Sequence, residues 1–301
     1  MQNVFEQLII LYVFISIGFL LGKLFRKKVE HTEILSVLLV NVFLPCKVFN
    51  SFAKNFTTTF FSEKYTLIIA STVLLVLLAV LAPFVAKRLS KSKQESNVYK
   101  YSVPISNYAY LGYVLIENVF GQEFLTSFIF FAIPFIIYTY TAGYAILTNS
   151  GGNIKKLINP ITISIFLGAI VGLVNITLPA PVVSIIASAS SCVGPLSMIM
   201  TGIVISTFAF GKLFTDIPSY IFLALKMIVL PAICFGICLL LGLHEISYMM
   251  LIITCMPCGL NPIVFSKLIG EDSIPGARLV VLSHIVAIIS LPLWLSLIAI
   301  V

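Results

Sequence analysis

The chain has 301 residues, of which 60% are hydrophobic and 10% are charged, and its mean hydropathy is +1.12. Soluble domains carry about 25% charged residues, so this composition excludes an ordinary soluble protein and indicates an integral protein of the lipid bilayer. The net charge of +7 does not point to nucleic acid, because the basic residues lie in short loops between apolar segments, as the positive-inside rule describes.

Ten apolar segments along the chain are long enough to span a bilayer. Their approximate limits are 4–24, 33–53, 65–86, 99–119, 124–147, 158–177, 182–210, 218–242, 246–268 and 276–300. No small-residue cleavage site follows the first segment, which therefore predicts a membrane helix and not a signal peptide. The predicted fold is an all-α integral membrane protein with ten transmembrane helices and short loops.

The two halves of the chain, residues 1–150 and 151–301, share features in one register. The matches, each displaced by 150 residues, are Gly18 with Gly168, Gly22 with Gly172, and the helix-breaking prolines Pro45 and Pro195. Each half holds five predicted helices, and an odd number places the second half in the membrane in the opposite sense. The pattern predicts two inverted five-helix repeats, a design typical of secondary transporters.

Basic residues are concentrated in alternate loops. Fourteen of the eighteen Lys and Arg residues fall in loops on one predicted side, whereas Lys54 and Lys64 lie on the other. The remaining two, Lys47 and Lys226, lie within predicted spans. By the positive-inside rule the basic side is cytoplasmic, and we expect a protein of the cell membrane with both termini outside.

Predicted spans 4 and 9 are poorly suited to continuous helices. The interrupting residues are Pro104, Asn107, Tyr108 and Gly112 in span 4, and Pro257, Gly259, Asn261 and Pro262 in span 9. A broken helix is tolerated in lipid only where its freed backbone groups face protein or a cavity. Because paired breaks in corresponding halves mark the binding site of many transporters, we expect the two spans to cross near the bilayer midplane and to hold the substrate.

The candidates for substrate binding are Asn107, Tyr108, Gly112, Asn261, Pro262 and Lys226. Three of them, the two asparagines and the lysine, carry N–H donors. Asn107 and Asn261 each offer two donors and an acceptor, and such donors can bind a carboxylate in a cavity. The alternative is that each amide only caps its own broken helix. Lys226 lies inside an apolar run, where an ionisable residue suggests function. It either stabilises an anion, or it is a structural partner or snorkels to the membrane surface.

Two further residues are candidates for coupling transport to an ion gradient. His284 in span 10 has an unperturbed pKa of about 6.5 that suits proton transfer, although a neutral packing role is the alternative. Glu117 lies near the end of span 4 and is expected to pair with a cation or to lie at the outer mouth. Lys47 is expected to snorkel to the outer face.

The sequence gives no sign of catalysis, a metal or a cofactor. Neither Cys234-x-x-x-Cys238 nor Cys255-x-x-Cys258 has a His or a carboxylate at ligand spacing, so we interpret them as packing residues. The chain contains no GxxxxGK[ST], HExxH or GxSxG motif. We therefore expect neither an enzyme nor an ATP-driven pump, and a gradient must supply the driving force.

The last two spans carry the clearest resemblance to a known family. The run MPCGLNPIVFSK from Met256 to Lys267, followed by His284 and by the LPLW of 291–294, resembles a Pro-x-Gly-x-x-Pro-x-Val-Phe-x-Lys pattern and a Leu-Pro ending. Both features are those of the auxin efflux carrier family, in its bacterial branch of malate and malonate permeases, within the bile acid and auxin transporter superfamily. Asn107 and Gly112 are similar to a motif in the family's fourth span.

The resemblance implies ten spans, a scaffold domain, and a transport domain with two crossing helices that moves as an elevator. It also implies a small organic anion such as malate or malonate as the substrate, and we further expect a homodimer. The chain departs from the family at Val114, where a proline is usual, and at Ile161, where plant members carry an asparagine. The second departure argues against auxin as the substrate.

The sequence thus predicts a secondary transporter of small organic anions that works by alternating access. A sodium-coupled bile-acid-type symporter is the alternative within transport, and it requires acidic or hydroxyl sodium ligands near the crossing, where few are present. A membrane enzyme or sensor is the alternative of another class. It requires paired carboxylates, a metal motif or a soluble output domain, and the sequence shows none of these.

Labelling of single cysteines tests the predicted topology. In a background without native cysteines, Ser92→Cys lies in a predicted cytoplasmic loop and Asn175→Cys in a predicted external loop. In sealed cells we expect an impermeant maleimide to label position 175 and not position 92, and permeabilised cells serve as the control in which both react. Labelling of position 92 from outside would contradict the topology.

Overall fold

The computed structural model describes residues 2–25, 33–150, 157–209, 211 and 213–298, and in these residues the chain forms helices and no strand. Several basic residues that support the predicted topology, at 26–28, 155–156 and 212, lie outside the described residues. The helices are α1 Gln2–Leu24, α2 Glu33–Leu38, α3 Leu44–Asn55, α4 Thr58–Leu89, α5 Lys93–Ser102, α6 Tyr113–Phe120, α7 Gln122–Tyr138, α8 Tyr144–Thr148, α9 Pro160–Val174, α10 Ala180–Ser191, α11 Val193–Ser206, α12 Ile217–Ala224, α13 Leu230–Leu240, α14 His244–Cys255, α15 Asn261–Leu268 and α16 Ile274–Ile298.

Several of these helices join end to end through short π-helical turns. The turns are Leu39–Phe43 between α2 and α3, Tyr108–Gly112 before α6, Thr139–Gly143 between α7 and α8, and Leu225–Val229 between α12 and α13. A π turn is rare and is frequently found at functional sites. Two of the four line the cavity described below.

Seven helical stretches in the described part of the chain are long and apolar enough to cross a bilayer. They are Val4–Leu24, Ile34–Asn55, Thr58–Leu89, Gln122–Thr148, Ala180–Ser206, Ile217–Leu240 and Ile274–Ile298. Helix α9 is apolar but shorter, and predicted spans 4 and 9 are each divided by a non-helical break. The prediction of an all-α, multi-pass membrane protein is therefore confirmed.

Helix α4 is longer than its predicted span because its first turn is capped. The Thr57 hydroxyl accepts a hydrogen bond from the backbone N–H of Phe60 at 3.0 Å. This N-cap satisfies a donor that would otherwise be free, so the helix starts at Thr58, ahead of the apolar run on which the prediction was based.

Glycines bring α1 into backbone contact with α11. A Cβ added at Gly18 would lie 2.0 Å from the carbonyl oxygen of Ile199, and a Cβ added at Gly202 would lie 2.0 Å from the carbonyl oxygen of Ile15. No side chain fits such a gap. The two helices can therefore approach this closely only because a glycine of each one faces the backbone of the other.

The second glycine pair makes an equivalent contact between α9 and α3. A Cβ at Gly168 would lie 2.8 Å from Phe52 Cβ, and one at Gly172 would lie 2.4 Å from the carbonyl oxygen of Phe56. The glycines that match in sequence thus join the first predicted span to the seventh, and the sixth to the second. Pro45 is the second residue of α3, and Pro195 is the third residue of α11.

An ionic cluster joins the N-terminal ends of α5, α12 and α16 on the side predicted to be cytoplasmic. Arg278 Nη1 lies 3.1 Å from Glu95 Oε1 and 3.2 Å from Asp216 Oδ2, while Lys91 Nζ lies 2.6 Å from Asp216 Oδ1. Burial raises the pKa of the Asp216 carboxyl, but hydrogen bonds from Lys91 and Ser219 and the charge of Arg278 outweigh it and hold the pKa below its ordinary value. The carboxylate therefore stays ionised at neutral pH.

The glycine contacts predict a test of packing. We expect Gly202→Ala to lower the thermal midpoint in detergent, because its Cβ collides with the backbone of α1, and such overpacking costs about 1–3 kcal/mol. The matched control is Gly236→Ala in α13, where no atom lies within 4 Å of the added Cβ. A helical Gly→Ala change in open space is neutral or stabilising. Equal midpoints for the two variants would contradict the packing.

Candidate functional site

Two breaks in the helices lie in contact with each other. Helix α5 ends at Ser102 and the chain resumes helical structure at Tyr108, whereas α14 ends at Cys255 and α15 starts at Asn261. The non-helical residues are 103–107 and 256–260. Each break contains a proline, which lacks a backbone donor and disfavours helix at the residue before it.

The backbones of the two breaks bond directly. In a continuous α-helix the Asn107 N–H would bond to the carbonyl four residues earlier, that of Val103. Here it donates instead to the carbonyl of Pro257 at 2.7 Å. A Cβ added at Gly259 would lie 3.7 Å from Asn107 Cα, so the two breaks are in contact at this point.

Lys226 satisfies the carbonyl that this exchange leaves free. Its Nζ donates to the Val103 carbonyl oxygen at 3.0 Å, and the side chain is only 2% exposed. The ammonium therefore replaces the missing helical N–H of the break. Of the roles predicted for Lys226, this contact is that of a structural partner, and the residue does not snorkel.

A Ser hydroxyl on α16 supports the second break. The backbone N–H of Cys258 donates to Ser283 Oγ at 3.0 Å. Because a buried unpaired backbone donor is costly, this bond helps to hold the break open inside an apolar interior. The neighbouring residue on α16 is His284, which contacts the first break.

A small cavity lies beside the two breaks. Its volume is about 50 Å³, which is room for roughly three or four waters. Its lining residues are Leu44, Ile105, Ser106, Asn107, Tyr108, Ala109, Tyr110, Tyr113, Ile136, Thr139, Tyr140, Ile161, Gly259, Leu260 and Asn261. The cavity therefore joins both breaks to the π turn Thr139–Gly143 and to residues of α3, α7 and α9.

The structure brings together some of the predicted site residues and not others. Those that line the cavity are Asn107, Tyr108, Gly259 and Asn261. Those that do not are Gly112, Pro262, Lys226, Pro104, Pro257, Pro45, Pro195, His284 and Glu117. A Cβ added at Gly112 meets only ordinary contacts, and the nearest atom of span 9 is Met256 Cε at 3.9 Å.

His284 orients the Asn107 amide. Nδ1 of His284 lies 2.7 Å from the Val280 carbonyl oxygen, and Nε2 lies 3.4 Å from Asn107 Nδ2. A carbonyl can only accept, so in a neutral imidazole Nδ1 carries the proton and Nε2 accepts from the amide. Both side chains are buried, and the described contacts of His284 are those of a hydrogen-bonded packing group.

The second amide is held by a tyrosine. Asn261 Nδ2 donates to the Tyr101 hydroxyl oxygen at 2.7 Å. Asn261 is the first residue of α15, and Asn107 precedes the π turn of span 4 without a capping hydrogen bond from its side chain. The alternative in which each amide only caps its own helix is therefore wrong, and each amide uses one N–H to reach another part of the fold.

Two buried hydroxyls in the cavity have no partner. Ser106 Oγ and Tyr113 Oη line the cavity and make no hydrogen bond within the described part of the chain. Tyr108 Oη lies 3.4 Å from Thr139 Oγ1. Tyr110, Tyr113, Thr139 and Tyr140 were not predicted as site residues, although the polar run TYT inside an otherwise apolar span was a signal.

Glu117 pairs with a lysine on the side predicted to be external. Its carboxylate, on α6, bonds to Lys47 Nζ on α3. The prediction that Glu117 pairs with a cation or lies at the outer mouth therefore holds in its first form. The prediction that Lys47 snorkels is wrong, because its side chain is only 3% exposed and bonds to the Glu117 carboxylate.

A family model described as "Membrane transport protein" matches the chain over residues 3–156 and again over residues 151–295. The two matches together cover nearly all of the sequence and agree with the resemblance found in its last two spans. A comparison with curated proteins found no match. The chain, with its two broken helices meeting at a small cavity, belongs to the membrane transport protein family of the auxin efflux carrier type.

Proposed function

We propose that this transporter carries small organic anions by alternating access, and that the anion binds in the cavity beside the two breaks. The observation that carries the proposal is the unused hydrogen-bonding capacity of the cavity. Ser106 and Tyr113 each present a buried hydroxyl without a partner in the described chain, and the Asn107 amide has a second N–H. A carboxylate accepts such donors, and bonds to a charged acceptor contribute about 1.5–3 kcal/mol each.

The charge distribution supports an anion. None of the residues that line the cavity is acidic or basic. A carboxylate there meets neutral donors and no repelling charge. Lys226 adds a positive charge behind the first break, where its ammonium bonds to Val103, four residues before Asn107. A cationic substrate would lack a counter-charge at this place.

The cavity also contains surface for a carbon skeleton. Ile136, Ile161 and Leu260 lie among its lining residues, as do the rings of Tyr110 and Tyr140. Sites that combine a few placed polar groups with apolar walls are typical of small-molecule binding. We therefore propose short mono- or dicarboxylates as the substrate class, and malate or malonate are the members suggested by the family resemblance.

The cavity is smaller than the proposed substrate. Room for three or four waters is less than a dicarboxylate of seven to nine heavy atoms occupies. The substrate must therefore widen the cavity, and movement of one break relative to its surroundings does this. This requirement supports alternating access over a fixed pore.

We propose ten spans in two inverted halves as the membrane arrangement. The support is the equivalence of the glycine contacts, which pair the first predicted span with the seventh and the sixth with the second. Helices α1, α3, α9 and α11, held by backbone contacts, are suited to a scaffold. The two breaks and their partners on α16 are suited to an elevator that moves against it, in a protein with both termini outside.

Uptake into proteoliposomes tests the function directly. The purified protein is reconstituted and assayed with a panel of radiolabelled carboxylates, with and without pH and sodium gradients. We expect saturable uptake of at least one short carboxylate and none of an organic cation of similar size. Uptake of the cation alone would contradict the proposal, and dependence on one gradient identifies the coupling ion.

The Asn107 amide provides the sharpest site prediction. Asn107→Ala removes one hydrogen bond to the anion and should weaken binding roughly ten- to a hundred-fold. Asn107→Asp should weaken it further, because a carboxylate there repels the substrate. Binding is measured by isotope competition in proteoliposomes. The matched control is Asn118→Ala on α6, an exposed asparagine outside the cavity that bonds to Gln7.

Asn118→Ala should bind the anion as the native protein does. If Asn107→Asp also binds it as tightly as the native protein, the carboxylate is not held at this cavity.

Two substitutions separate the charge of Lys226 from its hydrogen bond. Lys226→Gln keeps a donor for the Val103 carbonyl and removes the charge, so we expect a folded protein with weakened anion uptake. Lys226→Met leaves that carbonyl unsatisfied, and the thermal midpoint should fall as well, since an unpaired buried acceptor costs about 1–3 kcal/mol. Lys93→Gln, at an exposed lysine of α5, is the control for loss of a positive charge.

Native rates and affinity in a well-folded Lys226→Gln protein would leave this residue with a structural role alone.

A further inference from the structure

A second cavity opens between α3, α9 and α10, on the side of the chain that is predicted to be external. We call it the outer cleft, and its volume is about 160 Å³. Most of its lining residues are apolar, among them Phe49, Leu178 and Ile186, and two are polar, Asn50 and Lys54. It shares no lining residue with the cavity beside the breaks.

The outer cleft follows from how α9 ends. Gly172 holds the last turns of α9 against α3, and then Asn175 adopts a left-handed backbone conformation with φ of 55°. This residue turns the chain toward α10, which begins at Ala180. The cleft lies between this turn and the last two turns of α3, so Asn50 and Lys54, four residues apart on α3, point to it from one helix face.

The Asn50 amide has no partner within the fold. Its side chain is only 8% exposed, and it makes no hydrogen bond to any described residue. The amide borders the outer cleft, so its N–H and C=O groups can bond only to water or to a ligand in that space. A polar ligand in the outer cleft can therefore use both groups without breaking a bond inside the fold.

Lys54 is an unpaired cation at the rim of the outer cleft. The predicted topology has Lys54 and Lys64 on the external side. Lys64 Nζ bonds to Glu245 Oε1 at 2.6 Å, whereas Lys54 is exposed and has no acidic partner in the described chain. An anion at the rim therefore meets one free ammonium and one free amide.

The apolar walls of the outer cleft favour a hydrocarbon group. An apolar cavity of about 150 Å³ stays dry and takes up a molecule the size of benzene, so this space suits the beginning of an alkyl chain. An inorganic anion would leave the apolar walls unused, and a plain hydrocarbon would leave Asn50 and Lys54 unpaired. The ligand must combine an anionic head with an apolar tail.

The membrane itself is the source that fits this position. The cleft lies where α3 and α9 end, which is the level of lipid headgroups for helices that span the bilayer. Beside it, Ile176 and Ile185 are large, apolar and exposed, as expected of residues that face lipid. Lipid is present there at high local concentration, whereas a dissolved amphiphile is not.

We propose that the outer cleft binds one anionic phospholipid. Its phosphate oxygens accept hydrogen bonds from Lys54 Nζ and Asn50 Nδ2, and the start of one acyl chain lies between Phe49 and Ile186. The site is independent of the transported substrate, since it lies in the helices joined by the glycine contact of α9 and α3.

Native mass spectrometry of the full-length protein tests the site. Phosphatidylglycerol and phosphatidylcholine with the same acyl chains are titrated separately, and we expect one phosphatidylglycerol to bind more tightly than any phosphatidylcholine. A lysine near a membrane surface contributes about 1 kcal/mol to anionic-lipid binding, so Lys54→Gln should weaken binding about five-fold. Lys64→Gln, the paired lysine of the same face, should leave the affinity unchanged.

A second variant separates binding from folding. Asn50→Leu conserves volume and removes the amide, so phosphatidylglycerol binding should fall about ten-fold or more. The thermal midpoint in lipid-free detergent should stay or rise, because the substitution breaks no hydrogen bond within the described chain. Should this variant fail to fold, Ile186→Trp fills the cleft from α10 and is expected to abolish the preference for phosphatidylglycerol while Asn50 is kept.

Four results would overturn the proposal. The first is equal affinity for the two lipids in the native protein, and the second is native affinity for phosphatidylglycerol in Lys54→Gln. The third is binding of octanoate that phosphatidylglycerol does not displace, which would assign the outer cleft to a dissolved acid. The fourth is a lipid-free dimer that dissociates in Lys54→Gln. Asn107→Ala should retain lipid binding, so failure here leaves the transport proposal standing.

Discussion

Backbone groups freed inside an apolar protein must find partners, and the centre of this structure is arranged around that requirement. The Asn107 N–H cannot bond along its own helix and bonds to Pro257 in the other break. The Val103 carbonyl, which lacks this helical bond, accepts a hydrogen bond from the ammonium of Lys226. The Cys258 N–H donates to the hydroxyl of Ser283. Each break thus depends on a helix distant in sequence, and neither is stable without its neighbours.

The cavity is a by-product of the same arrangement. The two breaks meet as non-helical segments, so their side chains do not interdigitate as those of packed helices do. A gap remains between them, and polar side chains of the breaks face it. Asn107 and Asn261 are each fixed by one bond to a neighbour, His284 and Tyr101, which sets the direction of the remaining N–H. A binding site whose donors are held before the ligand arrives loses less entropy on binding.

Sequence patterns predicted the local features well, because they arise from composition within one segment. The apolar runs located the helices, and prolines with nearby Asn and Gly located both breaks. Long-range partners were not predictable. Whether Lys226 faces a cavity, a carbonyl or the membrane surface depends on how its helix is rotated against the break. The apolar run around it is too uniform to show that rotation.

The same limit explains the other differences. Lys47 and Glu117 are 70 residues apart, and only the packing of α3 against the second part of span 4 brings them together. Tyr140 reaches the cavity because a π turn shifts the face that α7 presents, and periodicity in an apolar segment does not reveal such a shift. The glycine match was visible in the sequence, whereas the identity of the helices that it joins was not.

The ionic cluster has a consequence for the energy of movement. The net charge of the cluster formed by Glu95, Asp216, Arg278 and Lys91 is zero, so its charges attract one another and separating them costs energy. Three of the four side chains, all except Lys91, are largely buried. If the cavity opens toward the predicted cytoplasmic side by moving α5 away from α16, the opposite charges of Glu95 and Arg278 must separate. Lys91 is 66% exposed and its attraction is screened by salt, whereas Arg278 is shielded from it. The barrier to such an opening therefore has one component that falls with rising ionic strength and one that does not.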